Sequence, residues 1–167
     1  DAPARFVALI PASALFWWFF EYLNRFVQNW YYVGVDDFSP LAYLAYASLA
    51  FATVLPAVLS TYRLLLGFSL FEGLSGLRPI HIARPRLVSA GVLAAAAVGL
   101  ALLGLFPDAL FALLWVSPLL IIAALQTLSR RPTIFAPLAH GDWRPLVTAA
   151  LAALICGFFW ELWNIGS

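Results

Sequence analysis

The chain is 167 residues long, 64% hydrophobic and only 10% charged, with a mean hydropathy of +0.94, more apolar surface than a soluble domain of this size can hide. Nine arginines and no lysine against eight acidic residues give a net charge of +1, which leaves no electrostatic case for nucleic acid. The single cysteine, Cys156, excludes an intrachain disulfide and a cysteine metal cluster. What remains is an all-α, polytopic membrane bundle, read as one domain over residues 1–167.

Five apolar runs reach the ~20 residues that cross ~30 Å of hydrocarbon. The first, near 6–33, carries a polar stripe in its outer part. Glu21, Asn24, Arg25 and Gln28 follow i, i+3, i+4, i+7 spacing, Asn29 extends the row, and Glu21 and Arg25 stand in register for an intrahelical ion pair. The second run, near 40–66, opens with Ser39-Pro40, an N-cap followed by proline in the first turn, and contains Pro56, which should kink it. Between 67 and 86, Phe68, Phe71, Leu74 and Leu77 precede Arg78, His81, Arg84 and Arg86, the pattern of a short interfacial helix with a basic tail.

The third run, near 87–106, repeats Gly91, Ala95 and Gly99, a small-residue stripe that lets another helix approach. The fourth, near 109–128, follows Asp108 as its expected N-cap and contains Pro118; the first run likewise contains Pro11. The fifth, near 145–165, follows Asp142 as N-cap. It ends on Phe158-Phe159-Trp160-Glu161-Leu162-Trp163-Asn164, which repeats Trp18-Phe19-Phe20-Glu21-Tyr22-Leu23-Asn24 in register about 140 residues away. The chain starts on Asp1 and stops beside an apolar run, as expected for part of a longer protein, so further helices or other membrane subunits are expected partners.

Arginine sets the expected direction. The N-terminus and the 67–86 and 129–144 loops hold, with their helix ends, Arg5, Arg63, Arg78, Arg84, Arg86, Arg130, Arg131 and Arg144, while the other side has Arg25 alone among Asp36, Asp37 and Asp108. Eight against one places the N-terminus in the cytoplasm, in a plasma membrane of bacterial type. Both signature helices then run outward, with Glu21 and Glu161 ~23 Å above the inner boundary.

A carboxylate in hydrocarbon costs a few kcal/mol, so two at one depth point to a shared polar site. Glu21 and Glu161 are the candidate acid/base or cation-stabilising groups, and Asn24, Asn164, Arg25, Gln28 and Asn29 the groups that orient them. Trp17, Trp18, Trp160 and Trp163, crowded against the glutamates, could wall in an isoprenoid or acyl chain, with ordinary bundle packing the other reading of each. Trp30, Tyr31 and Tyr32 fall where an interfacial aromatic belt belongs. With no histidine in any run, neither a metal nor another cofactor is expected. Membrane lipids and a lipid-like small molecule are the expected partners. A small transporter using the carboxylates for proton or cation coupling, and a sealed structural network, are the other readings.

The run from Phe20 to Tyr32, with Phe159-Trp160-Glu161-Leu162-Trp163-Asn164, resembles a family of bacterial multi-pass membrane proteins to which no activity is attached. A glutamate helix ending in Trp-x-Tyr, then a glycine and a new helix, is also similar to carotenoid-modifying membrane enzymes of the lycopene cyclase and bisanhydrobacterioruberin hydratase-like families. That resemblance implies acidic residues beside an isoprenoid chain, although the paired glutamates of the cyclases are missing here. Gly73-Leu74-Ser75-Gly76 and Ala139-His140-Gly141 resemble the serine and histidine regions of rhomboid proteases. That family carries them on helices; here both fall in loops, where solvated residues are the expectation.

Overall fold

A computed structural model describes residues 2–165, and it is all-helical, with no strand among them. Five helical spans are long and apolar enough to cross a membrane: Pro3–Val27, Pro40–Leu66, Pro85–Leu102, Pro107–Leu128 and Arg144–Trp163. The helices are α1 (Ala2–Val27), α2 (Pro40–Phe51), α3 (Val54–Leu66), α4 (Pro85–Leu102), α5 (Pro107–Leu128) and α6 (Arg144–Trp163). Ser39 caps α2 as expected, its hydroxyl accepting from the Ala42 N–H at 3.2 Å. Asp108 is not a cap: with Pro107 opening α5, its carboxylate lies in the first turn, where the helix dipole favours it. The chain divides into two compact units, one holding the N-terminal part to Tyr22, Trp30–Phe68 and the part from Val147, the other holding Leu23–Asn29 and Ser69–Leu146.

In the first unit the second span is broken instead of merely kinked. Pro56 has no N–H to give the Ala52 carbonyl, and the helix stops at Phe51 and restarts at Val54. The Ser13 hydroxyl of α1 enters the gap, donating to the Phe51 carbonyl at 2.5 Å and accepting from the Leu55 N–H at 3.0 Å. Those two backbone groups would bond each other in an unbroken helix, so one buried hydroxyl stands in for a rung of the ladder. Nearby, Trp18 donates to the Ser48 hydroxyl at 2.9 Å and meets Phe51 edge-on, fixing α1 against α2. Thr61 of α3 and Cys156 of α6 approach to 3.5 Å.

In the second unit α4 and α5 form an antiparallel hairpin whose seam is Ala96, Gly99 and Leu103 on the α4 side. Gly99 is required: a methyl there would run into the Leu113 side chain. The predicted stripe is therefore displaced, since Gly91 and Ala95 are exposed and Ala96 takes the inward position. The seam spacing, i, i+3, i+7, follows the 3.6-residue period better than strict fours.

The loops at the open end of this hairpin are stitched by their backbones. Leu77 N–H donates to the Gly141 carbonyl at 3.0 Å, Ile80 N–H to Leu138 at 2.9 Å and Trp143 N–H to Leu74 at 3.0 Å, while the Trp143 indole reaches the Arg78 carbonyl at 3.1 Å. Gly141 has φ +74°, and a Cβ there would drive into the Leu77 carbonyl. The interfacial helix is absent: Ser69–Leu74 is a 3₁₀ stretch that buries Phe71 and leaves Phe68 and Leu77 exposed. A 3₁₀ turn eclipses every third side chain and cannot present the broad apolar stripe of an α-helix.

Candidate functional site

Glu21 lies six residues before the end of α1, or ~9 Å along the axis. Its Oε1 accepts three hydrogen bonds, all from aromatic donors: Trp17 Nε1 at 3.2 Å, Trp30 Nε1 at 3.0 Å and the Tyr32 hydroxyl at 2.6 Å. The last distance is that of a hydroxyl on a carboxylate. Trp17 is set by its own packing, against Phe20 and Phe51. Partial burial of Tyr32, followed by the carboxylate it donates to, pushes its phenol well above the usual tyrosine value of 10.0. Tyr32 therefore stays a donor throughout the physiological range.

This arrangement depends on α1 ending early. A helix continuing to 33 would carry Trp30 ~13 Å beyond Glu21, out of reach. Instead the helix stops at Val27 and Gln28 takes a left-handed conformation, φ 50°. Asn24 is the device that stops it: its carbonyl accepts from Gln28 N–H and its Oδ1 from Asn29 N–H, each at 2.7 Å. Buried, with its side chain serving the backbone, Asn24 closes the helix C-terminus in the manner of a cap.

Two parts of the sequence reading are corrected by this geometry. Gln28 and Asn29 are not on the helical stripe, because the chain has left the helix there. The Glu21–Arg25 ion pair is not formed among the described residues: Arg25 is exposed, and the carboxylate oxygen it was expected to hold is taken by neutral donors. Trp30 and Tyr32, expected in an interfacial belt, also donate to Glu21, a contact the sequence reading did not foresee.

The second signature is built differently. Glu161 and Trp163 are exposed in the last turn of α6, Trp160 is half-buried, and Phe159 stacks with Trp163 at 6.2 Å between ring centres. Asn164 lies beyond the helix and donates its Nδ2 to the Trp160 carbonyl at 2.8 Å. Both asparagines of the repeat thus serve backbone groups at helix ends, whereas only the first glutamate gathers a shell of donors.

Among the loops, the ion pair formed is Asp142–Arg144. The Asp142 carboxylate takes the Arg144 N–H at 3.1 Å and its guanidinium at 2.9 and 2.8 Å, and that hydrogen-bonded guanidinium holds the carboxyl below its ordinary range. Each rhomboid-like segment is bonded to a residue flanking the other, Leu74 to Trp143 and Gly141 to Leu77, but the Ser75 hydroxyl is turned into its own loop, on the Glu72 carbonyl at 2.7 Å, and His140 is exposed. No group of three metal-ligating side chains occurs among the described residues. Compared with protein-family models, curated proteins and solved structures, the chain matches none.

Proposed function

We propose that the chain is an integral membrane protein that binds, or acts on, a lipid-like substrate at a polar site centred on Glu21. The observation that carries this reading is the convergence of Trp17, Trp30 and Tyr32 on one oxygen of a carboxylate near the end of a membrane-length helix. All three donors go to Oε1, and Oε2 takes none from the described residues. The surrounding surface is aromatic and apolar, suited to an isoprenoid or acyl chain lying along α1, with Phe19 and Tyr22 exposed beside Glu21. The arginine asymmetry puts this end of α1 on the outer side of a bacterial plasma membrane. Arg25, Gln28 and Asn29, all exposed, are proposed as further groups that meet a polar head group. Glu161, Trp160, Trp163 and Asn164 are proposed as the second, more open element of the site.

One observation favours a second reading, a small transporter or transporter subunit. Interrupted helices near mid-membrane recur in transporters, and the α2–α3 break falls about halfway along its span.

The test is to purify the protein in a maltoside detergent and identify co-purifying lipids by mass spectrometry. A bound lipid or isoprenoid retained by the wild type and depleted at least about fivefold in Glu21→Gln supports the site. Equal retention by both proteins removes it, and ion flux through reconstituted vesicles without any bound lipid favours the transporter.

A further inference from the structure

Glu21 is a carboxylate without a cation. Its three partners are two indoles and a phenol, none of which brings charge, and the described residues offer it no ion pair. Arg25, one turn away on the same helix, is exposed instead of turned onto it. A net negative charge among rings and hydrocarbon is costly unless something neutralises it.

The geometry also restricts what can do so. Three donors crowd Oε1, so a ligand must use Oε2. No other aspartate, glutamate, histidine or cysteine joins Glu21 in a group that would hold a metal ion among the described residues. What does lie beside it is aromatic: Trp17, Trp30 and Tyr32 each point an N–H or O–H edge at Oε1. A carboxylate set among neutral indole and phenol groups suits an organic ammonium, through charge at the oxygen and apolar contact of the alkyl groups with ring carbon. Depth agrees. A span of 25 residues is ~37 Å long against ~30 Å of hydrocarbon, so Glu21 lies only ~5 Å below the head-group boundary.

We infer that the head group received at this site is an organic ammonium, held by Glu21 Oε2 among the rings of Trp17, Trp30 and Tyr32. This rests on the lipid-like reading of the site and adds the class of head group to it.

The experiment compares dodecyltrimethylammonium with dodecanol, the same chain with and without the charge, by tryptophan fluorescence titration of the purified protein in maltoside micelles. The expected result is about tenfold tighter binding of the ammonium amphiphile, the scale of one cation–π and carboxylate contact. Tetramethylammonium chloride should compete with it where sodium chloride at equal ionic strength does not. In Glu21→Gln, whose amide oxygen can still accept from the three donors, the preference should vanish while dodecanol binding stays. Equal affinities in the wild type, or a preference that survives in Glu21→Gln, overturn the inference; if dodecanol still binds, the lipid-like reading stands without it. Binding of neither amphiphile overturns both. Should Glu21→Gln fail to fold by circular dichroism, the competition on the wild type decides alone: no displacement by tetramethylammonium overturns the inference.

Discussion

Replacing Ser13 with alanine removes a single oxygen that holds two backbone groups inside the bundle, and the cost can be worked from the geometry. The hydroxyl bonds the Phe51 carbonyl and the Leu55 N–H, and Ser13 itself is only 1% exposed. If the gap stays open, both groups are stranded, at ~1–3 kcal/mol each. If it closes, Leu55 N–H reaches Phe51 directly and one bond is recovered, at the expense of repacking α1 on α2. Measured side-chain hydrogen bonds inside membranes average nearer ~0.6 kcal/mol, which sets the floor at ~1 kcal/mol for two. The expected loss is therefore about 2 kcal/mol, read as equilibrium unfolding in mixed maltoside–dodecyl sulfate micelles by circular dichroism. Pro56→Ala restores the missing N–H, lets the ladder close, and should recover part of the loss in the double variant. A Ser13→Ala protein within ~0.3 kcal/mol of the wild type would refute the idea that the hydroxyl completes the ladder.

Other substitutions probe the remaining features. Gly141→Ala should cost ~2–4 kcal/mol, because its Cβ meets an immovable carbonyl at positive φ. Gly99→Ala should cost less, ~1–2 kcal/mol, since it meets the tip of a leucine; the reverse order in the same unfolding assay would contradict the loop stitching. The raised phenol of Tyr32 makes its contribution to stability complete below the unfolded value near 10 and lost progressively as pH rises above it. Alkaline unfolding should therefore be shallower in Tyr32→Phe between pH 10 and 11.5, and identical slopes would argue against the Glu21–Tyr32 bond. The Ser117 and Thr148 hydroxyls are buried with no partner among the described residues, so Ser117→Ala and Thr148→Val should be neutral or stabilising by up to ~1 kcal/mol; a loss above ~1 kcal/mol would reveal a partner. Cysteines at Arg84 and Arg131 should label from the cytoplasm and at Asp37 from outside, and outer labelling at Arg84 would invert the topology.

The fold class was legible because hydrocarbon-length apolar runs leave few alternatives, and the turn chemistry of Ser39-Pro40 marked its helix start correctly. The site was legible only in part. Glu21 stood out as a carboxylate in an apolar run, but nothing in Gln28-Asn29-Trp30-Tyr31-Tyr32 announces a helix end: the first glycine comes at Gly34, and the stop is made by the Asn24 side chain. A helix read as continuing to 33 carries Trp30 and Tyr32 out of reach of Glu21 and leaves Arg25 as its natural partner. Their polar edges were the available signal, since indole and phenol donors near a membrane carboxylate seek an acceptor. Ser13 gave no signal at all. Pro56 shows that a carbonyl loses its donor, but which distant hydroxyl fills the gap is a property of packing, not of local sequence.

The choice of neutral donors over arginine has an electrostatic consequence for the proposed site. An arginine on Glu21 would cancel the charge, but it would bring a second ion into low dielectric, and such pairs recover little beyond the cost of desolvating both partners. Two indoles and a phenol supply hydrogen bonds without that second penalty, and they leave the charge itself in place. Repetition of the signature in α6 does not reproduce this among the described residues, where Glu161 stands exposed in the last turn. The ten residues that follow Tyr22 fold back to complete the donor shell of Glu21, and those residues are where substitutions that alter the proposed ligand preference should concentrate.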